Sequence, residues 1–486
     1  MLPGPAFRTT TCYPHAIAAA PPPSIFHLPV APDPFPFAPA ASEVSFGEAF
    51  RFWLKLGCIS FGGPAGQIAI MHQELVEKRR WISERRFLHA LNYCMVLPGP
   101  EAQQLATYIG WLMHRTRGGI VAGGLFVLPS LFILIALSWV YVAHGEQPAV
   151  AAVLYGIKPA VTAIVVFAAF RIGSRALKNA ALWSIAAMAF IALFAFHTPF
   201  PAIILVAGLL GYLGNRWRPQ WFSAAPAHAT MGKSAAPALI DDLTPTPAHA
   251  RFSTRRLARA CAIGLAIWST TMGILIAVFG AKGLLTMIGW FFTKAALLTF
   301  GGAYAVLPYV YQGAVEHYQW LTATQMIDGL ALGETTPGPL IMVVTFVGFL
   351  AGYKYAIFGA DWPALSGVAA AGVTTFFTFL PSFLFILIGG PLVESTHGEP
   401  RVAAPLTGIT AAVVGVILNL AMFFAYHVLW PEATASAPFS GRFEWPAALI
   451  GAAALLALLR FKAGVMPVIG ACALTGLVIW GFRGAI

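Results

Sequence analysis

From Gly119 onward the chain is laid out in long apolar runs, over 119–142, 149–170, 182–196, 202–213, 260–279, 363–388, 402–424, 446–459 and 465–480. A helix needs about 20 apolar residues to cross a bilayer, and most of these runs approach that length. They do not alternate as the strands of a membrane barrel would, so the pattern predicts helices. Two stretches break the pattern. FGEAFRFWLKLGCISFGG, from Phe46, is amphipathic and is interrupted by Gly62-Gly63-Pro64, where proline after glycines predicts a second short helix from Pro64 to about His72. Leu88 to Met95 is apolar, Leu97-Pro98-Gly99-Pro100 cuts it, and EAQQLATYIGWLM resumes the helix, which predicts two half-helices joined at a break.

Both interruptions occur twice. Phe61-Gly62-Gly63 returns as Phe300-Gly301-Gly302, Trp81 as Trp320, and Pro98-Gly99-Pro100 as Pro337-Gly338-Pro339, each 239 positions later. Lys55 and Lys294 keep the same interval, six residues before each FGG. After a short slip the register continues at an offset of 252, Leu128-Pro129-Ser130 answering Leu380-Pro381-Ser382 and Tyr155-Gly156-Ile157 answering Thr407-Gly408-Ile409. The chain therefore reads as two homologous halves.

Composition agrees with a polytopic membrane protein: 58% of residues are hydrophobic and 10% charged, with a mean hydropathy of +0.76. The net charge of +11 is spread over loops between apolar runs, as topology determinants are, and nowhere forms a basic domain for nucleic acid. Five scattered cysteines without a CxxC predict neither a disulfide framework nor a metal site, and no cofactor is expected. Residues 1–44, rich in proline and alanine, lack the basic start and apolar core of a secretory signal and are expected to be a disordered tail. Within the hydrophilic linker 215–259, HATMGKS ends like a phosphate-binding loop, yet Ala227 stands where that loop starts with glycine; no nucleotide site is expected.

The expected fold is an all-α polytopic membrane protein. Its parts are a first repeat over 45–214, the cytoplasmic linker 215–259, a central helix 260–282 and a second repeat over 283–482. One unpaired central crossing turns the second repeat upside down, giving an inverted repeat with broken or re-entrant helices. Loop charge points the same way: Lys78, Arg79, Arg80, Arg85 and Arg86 make the first loop basic and cytoplasmic, whereas its counterpart EHYQWLTATQMID, read as an outer loop, carries Glu316 and Asp328 without Lys or Arg.

Helix starts expose unpaired N–H groups and about half a positive charge, which makes them anion sites. The candidate binding set is therefore Phe61, Gly62, Gly63, Pro64, Pro98, Gly99, Pro100, Phe300, Gly301, Gly302, Pro337, Gly338 and Pro339, with Lys55 and Lys294 supplying full charges. Lysines near a segment end also snorkel to the interface, and glycines also serve close helix packing, so both alternatives stay open. Glu334, three residues before the second PGP, is a candidate for proton coupling or for pairing with a lysine. Glu101, directly after the first PGP, is either a second coupling group or a helix cap.

FGGPAGQIAIMHQELVEKRRWISERRF, LNYCMVLPGPEAQQLATYIGW, LTFGGAYAVLPYVYQGAVEHYQWLT and GETTPGPLIMVVTFVGF resemble the signatures of the long-chain chromate ion transporter family, over about residues 45–480. Ala303 departs from it, replacing the proline of FGGP. The resemblance implies a secondary transporter of the bacterial inner membrane, its N-terminus cytoplasmic, that exports chromate and confers chromate resistance. Some members of that family carry sulfate, and a homodimer is the candidate assembly. A dianion leaving an inside-negative cell gains roughly 4.6 kcal/mol per 100 mV, so export needs no ATP. Uptake by proton symport and a passive anion channel are the alternatives; the sequence carries no enzyme motif.

Overall fold

The computed structural model describes residues 44–61, 63–145, 147–222, 238–241, 244, 247, 249–395, 403–433, 437 and 439–484. The tail over 1–43, Gly62 and HATMGKS lie outside them. Among the described residues the first repeat comprises α1 (Phe46–Ile59), α2 (Gly63–His72), α3 (Glu84–Val96), α4 (Glu101–His144), α5 (Pro148–Ala176), α6 (Ala180–Phe196), α7 (Phe200–Trp217) and the short α8 (Pro219–Phe222). The unpaired helix α9 (Thr254–Phe279) follows, longer at its start than the sequence suggests. The second repeat comprises α10 (Leu284–Leu298), α11 (Ala303–Tyr311), α12 (Ala323–Thr335), α13 (Val343–Tyr355), α14 (Pro363–Ser395), α15 (Ala403–Leu429), α16 (Trp445–Arg460) and α17 (Val465–Gly484). Seven of these helices are long and apolar enough to cross a membrane. On α9 the large side chains Ile263, Leu265, Ile274 and Val278 are exposed, as on a face that meets lipid.

The repeat extends to backbone detail. A π-helical turn follows α2 at Gln73–Lys78 and α11 at Gln312–His317. Arg80 and Gln319, 239 apart, share the same left-handed φ of 52°. Ser60 (φ −80°, ψ 79°) and Thr299 (φ −79°, ψ 76°) leave α1 and α10 in one conformation. Their hydroxyls also do the same thing, donating to the carbonyls of Leu56 and Ala295 one turn back.

At 44 residues a straight α4 would be about 66 Å long, twice a bilayer core. It instead folds back at His114 and Arg115, whose backbone is not helical. A methyl on Gly110 would strike Ala122 and the Gly118 carbonyl, and one on Gly123 would strike Thr107, so the two limbs pack as an antiparallel hairpin. α13 and α14 repeat the arrangement, with Gly352 against Ser366 and Gly348 against Thr374.

The halves are exchanged, not juxtaposed. α5 packs against α16 and α17 of the second half, while its counterpart α15 packs against α6 and α7 of the first. The match between Gly156 and Gly408 has its cause here. Gly156 touches the backbone of Cys472 and Gly476 on α17, and Gly408 touches that of Ala207 and Gly211 on α7. The second limb of α4 and α14 run antiparallel, Gly119 meeting Leu387 and Gly123 meeting Phe383.

One sequence expectation is corrected. Asp328 does not lie in a loop. It sits 2% exposed in α12, where it accepts a hydrogen bond from Tyr141 (2.9 Å) and pairs with Lys158 (3.4 Å). The described part of the linker stretch is anchored on the first half: Ile240 bridges Ile82, Leu239 N–H donates to the Arg80 carbonyl, and the His249 ring bonds the Trp111 carbonyl.

Gly476→Leu should collapse the α5–α17 seam, because a Cβ there already lies 2.2 Å from the Ala152 carbonyl. Size-exclusion chromatography of solubilised protein should show loss of the folded peak, whereas Gly47→Leu, with open space around its Cβ position, should leave it intact.

Candidate functional site

Both PGP breaks lie at the junction of the halves, and each is held by the other half. The Gly99 N–H donates to the Thr299 carbonyl (2.7 Å), and the Gly338 N–H donates to the Ser60 carbonyl (2.8 Å). Ser60 and Thr299 immediately precede the two FGG turns, so the reciprocal bonds tie all four breaks into one centre. Both glycines occupy positive φ, 129° at Gly99 and 100° at Gly338. Added methyls would meet Ser382 Oγ at 2.3 Å and Ser130 Cβ at 2.8 Å. The repeated LPS motifs thus supply the opposite half's floor beneath each PGP turn. Gln67 donates to the Gly338 carbonyl and Gln104 to that of Pro98. The Ser130 and Ser382 hydroxyls are buried without a hydrogen-bond partner.

Beside this centre opens a cavity of about 790 Å³. Its walls include Pro64 at the start of α2, Gly301, Gly302 and Ala303 at the start of α11, Glu101, Tyr304, Thr410, and Arg171 and Arg175 from the end of α5. Neither guanidinium makes a salt bridge among the described residues. Glu334 reaches the wall through Tyr304, whose hydroxyl donates to its carboxylate, and Arg171 lies within electrostatic range of Glu334. Two guanidinium groups and the positive end of α11 therefore face one space, together with the carboxylates of Glu77 and Glu101; an anion can settle on the arginine side of it. A second cleft, between α16 and α17, is lined by Leu, Ala and Pro and has no charge.

The predicted residues divide. Pro64, Gly301, Gly302 and Glu101 line the cavity, and Glu334 adjoins it. Gly63, Gly99 and Gly338 adopt the positive φ that the breaks require. Pro98, Pro100, Pro337 and Pro339 flank the two junction glycines. Phe61 and Phe300 are half-buried outside the cavity wall, and Lys55 and Lys294 lie on exposed faces of α1 and α10. Because Gly99 and Gly338 spend their N–H groups on carbonyls, the PGP turns hold the halves together and offer the cavity no free donor at those atoms. The sequence reading missed Arg171 and Arg175, taking them for loop charges. Their spacing of four on one helix was the available signal, since it puts both on one face.

Helical spans, exchanged halves and a cavity with two arginines at their junction define a polytopic membrane protein of the transporter class. Residues 47–212 and 286–477 match the Chromate transporter family, and the chain belongs to that family. It is 30% identical to the chromate transport protein of Cupriavidus metallidurans, over 90% of this chain and 94% of that one. It is 35% identical to the chromate transport protein of Pseudomonas aeruginosa, over 77% and 80%. A probable chromate transport protein of Synechococcus elongatus is 27% identical over 90% and 96%. No solved structure matches the chain.

Gly99→Ala and Gly338→Ala should destabilise to a similar degree, each adding roughly 1–3 kcal/mol of backbone strain before any clash with the facing serine. Thermal unfolding in detergent should show comparable falls in Tm; a fall for one variant alone would contradict the reciprocal junction.

Proposed function

We propose that the chain is a secondary carrier that exports chromate, a tetrahedral dianion, across the bacterial inner membrane and so confers chromate resistance. In this reading the cavity beside Arg171 receives the anion from the cytoplasm. The observation that carries it is the meeting of Arg171, Arg175 and the start of α11 in one cavity at the junction of the halves. The names of the relatives favour chromate over other oxyanions. Sulfate has the same shape and charge, so the cavity is expected to admit it.

Several contacts support an inverted, re-entrant arrangement. Antiparallel packing of α4 on its counterpart α14 is what inversion across the membrane plane produces. The linker touches both residues 80–83 and Trp111, so α3 and the first limb of α4 enter and leave on one face, as a re-entrant hairpin does. That face carries Arg79, Arg80, Arg85 and Arg86, which favours a cytoplasmic position for it.

One observation favours a second reading, uptake by proton symport. Glu101 lines the anion cavity and Glu334 adjoins it; a dianion settles more easily there when the carboxylates are protonated, and those protons then travel with it. Under the symport reading, Glu101→Gln and Glu334→Gln abolish stimulation by an acid gradient in proteoliposomes. Under the export reading, a membrane potential alone drives flux and both variants retain it.

Arg171→Ala should reduce chromate accumulation in inverted vesicles by about tenfold to a hundredfold, the loss of one charge-assisted hydrogen bond, with Lys at 171 recovering part of it. Lys55→Ala and Lys294→Ala, on exposed faces, should cost less. Loss at Lys55 exceeding loss at Arg171 would move the site to α1.

A further inference from the structure

Pro64 and its counterpart Ala303 share the wall of the open cavity, but much of the remaining wall has counterparts that do not line it and are packed against other side chains. Ile68 and His72 are half-buried, but Leu307 and Tyr311 in their places are buried. Arg171 and Arg175 map onto Phe423 and His427, and the Tyr311 ring lies 4.4 Å from Phe423, which lies 3.9 Å from the His427 ring. Thr410, on the wall of the open cavity, maps onto Lys158. One of two equivalent vestibules is therefore open and the other is filled by its own side chains.

We propose that the packed end is a second, occluded site for the same oxyanion, in which His427 stands in the place of Arg175 and Lys158, in the place of Thr410, supplies the cation, and that the Tyr311–Phe423 contact is its gate. While the gate is shut, Lys158 is neutralised by Asp328, which Tyr141 holds from the other side. Lys158 Nζ stands 3.4 Å from Asp328 Oδ1, longer than a close hydrogen-bonded ion pair, so separating the pair on opening meets less resistance than a tight one would. Opening the gate presents the Lys158 ammonium to an anion that competes with Asp328. The proposal rests on the carrier reading above, because a channel needs no second, alternately exposed site.

The test uses the full chain with its native cysteines replaced by serine, first shown to transport. Tyr311→Cys with Phe423→Cys, bridged by a short bifunctional thiol reagent, should lower chromate transport by about tenfold or more, with recovery on reduction. In the same bridged protein, chromate should still protect Met95→Cys from a maleimide, since the open cavity is untouched. Full transport by the bridged protein overturns the gate. Absence of protection at position 95 before bridging instead overturns the carrier site itself, so the two failures are distinguishable.

A second pair of variants tests the cation. Lys158→Gln alone strands a buried carboxylate, so Lys158→Gln with Asp328→Asn keeps the packing neutral. The double variant should fold, bind chromate at position 95 within about twofold of the parent and transport about tenfold more slowly. Transport at the parent rate, or a loss of binding at position 95 equal to the loss of transport, overturns the assignment of Lys158 to the occluded site.

Discussion

Two backbone hydrogen bonds hold this architecture together, one from Gly99 to Thr299 and one from Gly338 to Ser60. A helix broken inside a bilayer leaves N–H and C=O groups that lipid cannot satisfy, at several kcal/mol each, and broken helices survive only where protein supplies the missing partners. Here each half supplies them to the other. The carbonyl left over where α1 ends accepts from the second PGP turn, and the one left over where α10 ends accepts from the first. The carbonyls of Ser60 and Thr299 are available because the chain leaves the helix at these residues, with ψ of 79° and 76°, so no N–H one turn on reaches them. Neither half alone satisfies its own breaks, which is the physical reason for the exchange of α5 and α15 between the halves.

That constraint also decides which atoms are free for chemistry. With the PGP amides committed, positive charge at the junction comes from the start of α11 and from the guanidinium groups of Arg171 and Arg175. The exchange brings them together: α5 carries the arginines from the first half to the α11 turn of the second, and α15 places Thr410 on the same wall. A site assembled from both halves changes shape whenever they shift against each other, whereas one contained within a half would not.

The breaks were legible in the sequence because they rest on backbone geometry. Positive φ admits glycine far more readily than other residues, and a Cβ would fall 2.3 Å from Ser382 Oγ at Gly99 and 2.8 Å from Ser130 Cβ at Gly338, so both glycines stand out as repeated letters. The exchange was not legible. An interval of 239 shows which residues are equivalent but not whether a copy packs on its own half or the other. Arg171 and Arg175 were hidden because an arginine at the end of an apolar run looks the same whether it anchors a helix in headgroups or closes a cavity. Asp328 falls in a helix because Thr322 and Gln325, spaced as Thr-x-x-Gln in the sequence, form a capping box that starts α12 in the middle of the expected loop.

The side chains depart from the repeat around the cavity. Backbone symmetry is kept at the breaks, the π-turns and the glycine seams, as the proposed carrier would require of halves that fit each other in more than one arrangement. The charges are not symmetric: Arg171, Arg175 and Glu101 stand at the open end, while Phe423, His427 and Leu340 replace them at the other. Such asymmetry cannot set the direction of net flux, which belongs to the voltage and the gradients of anion and proton. Under the proposed carrier reading it sets how tightly each end holds the anion: an end with two guanidinium groups captures a dilute dianion, and an end whose one lysine is shared with a carboxylate releases it, so loading and unloading differ in rate even though the fold treats the two ends alike.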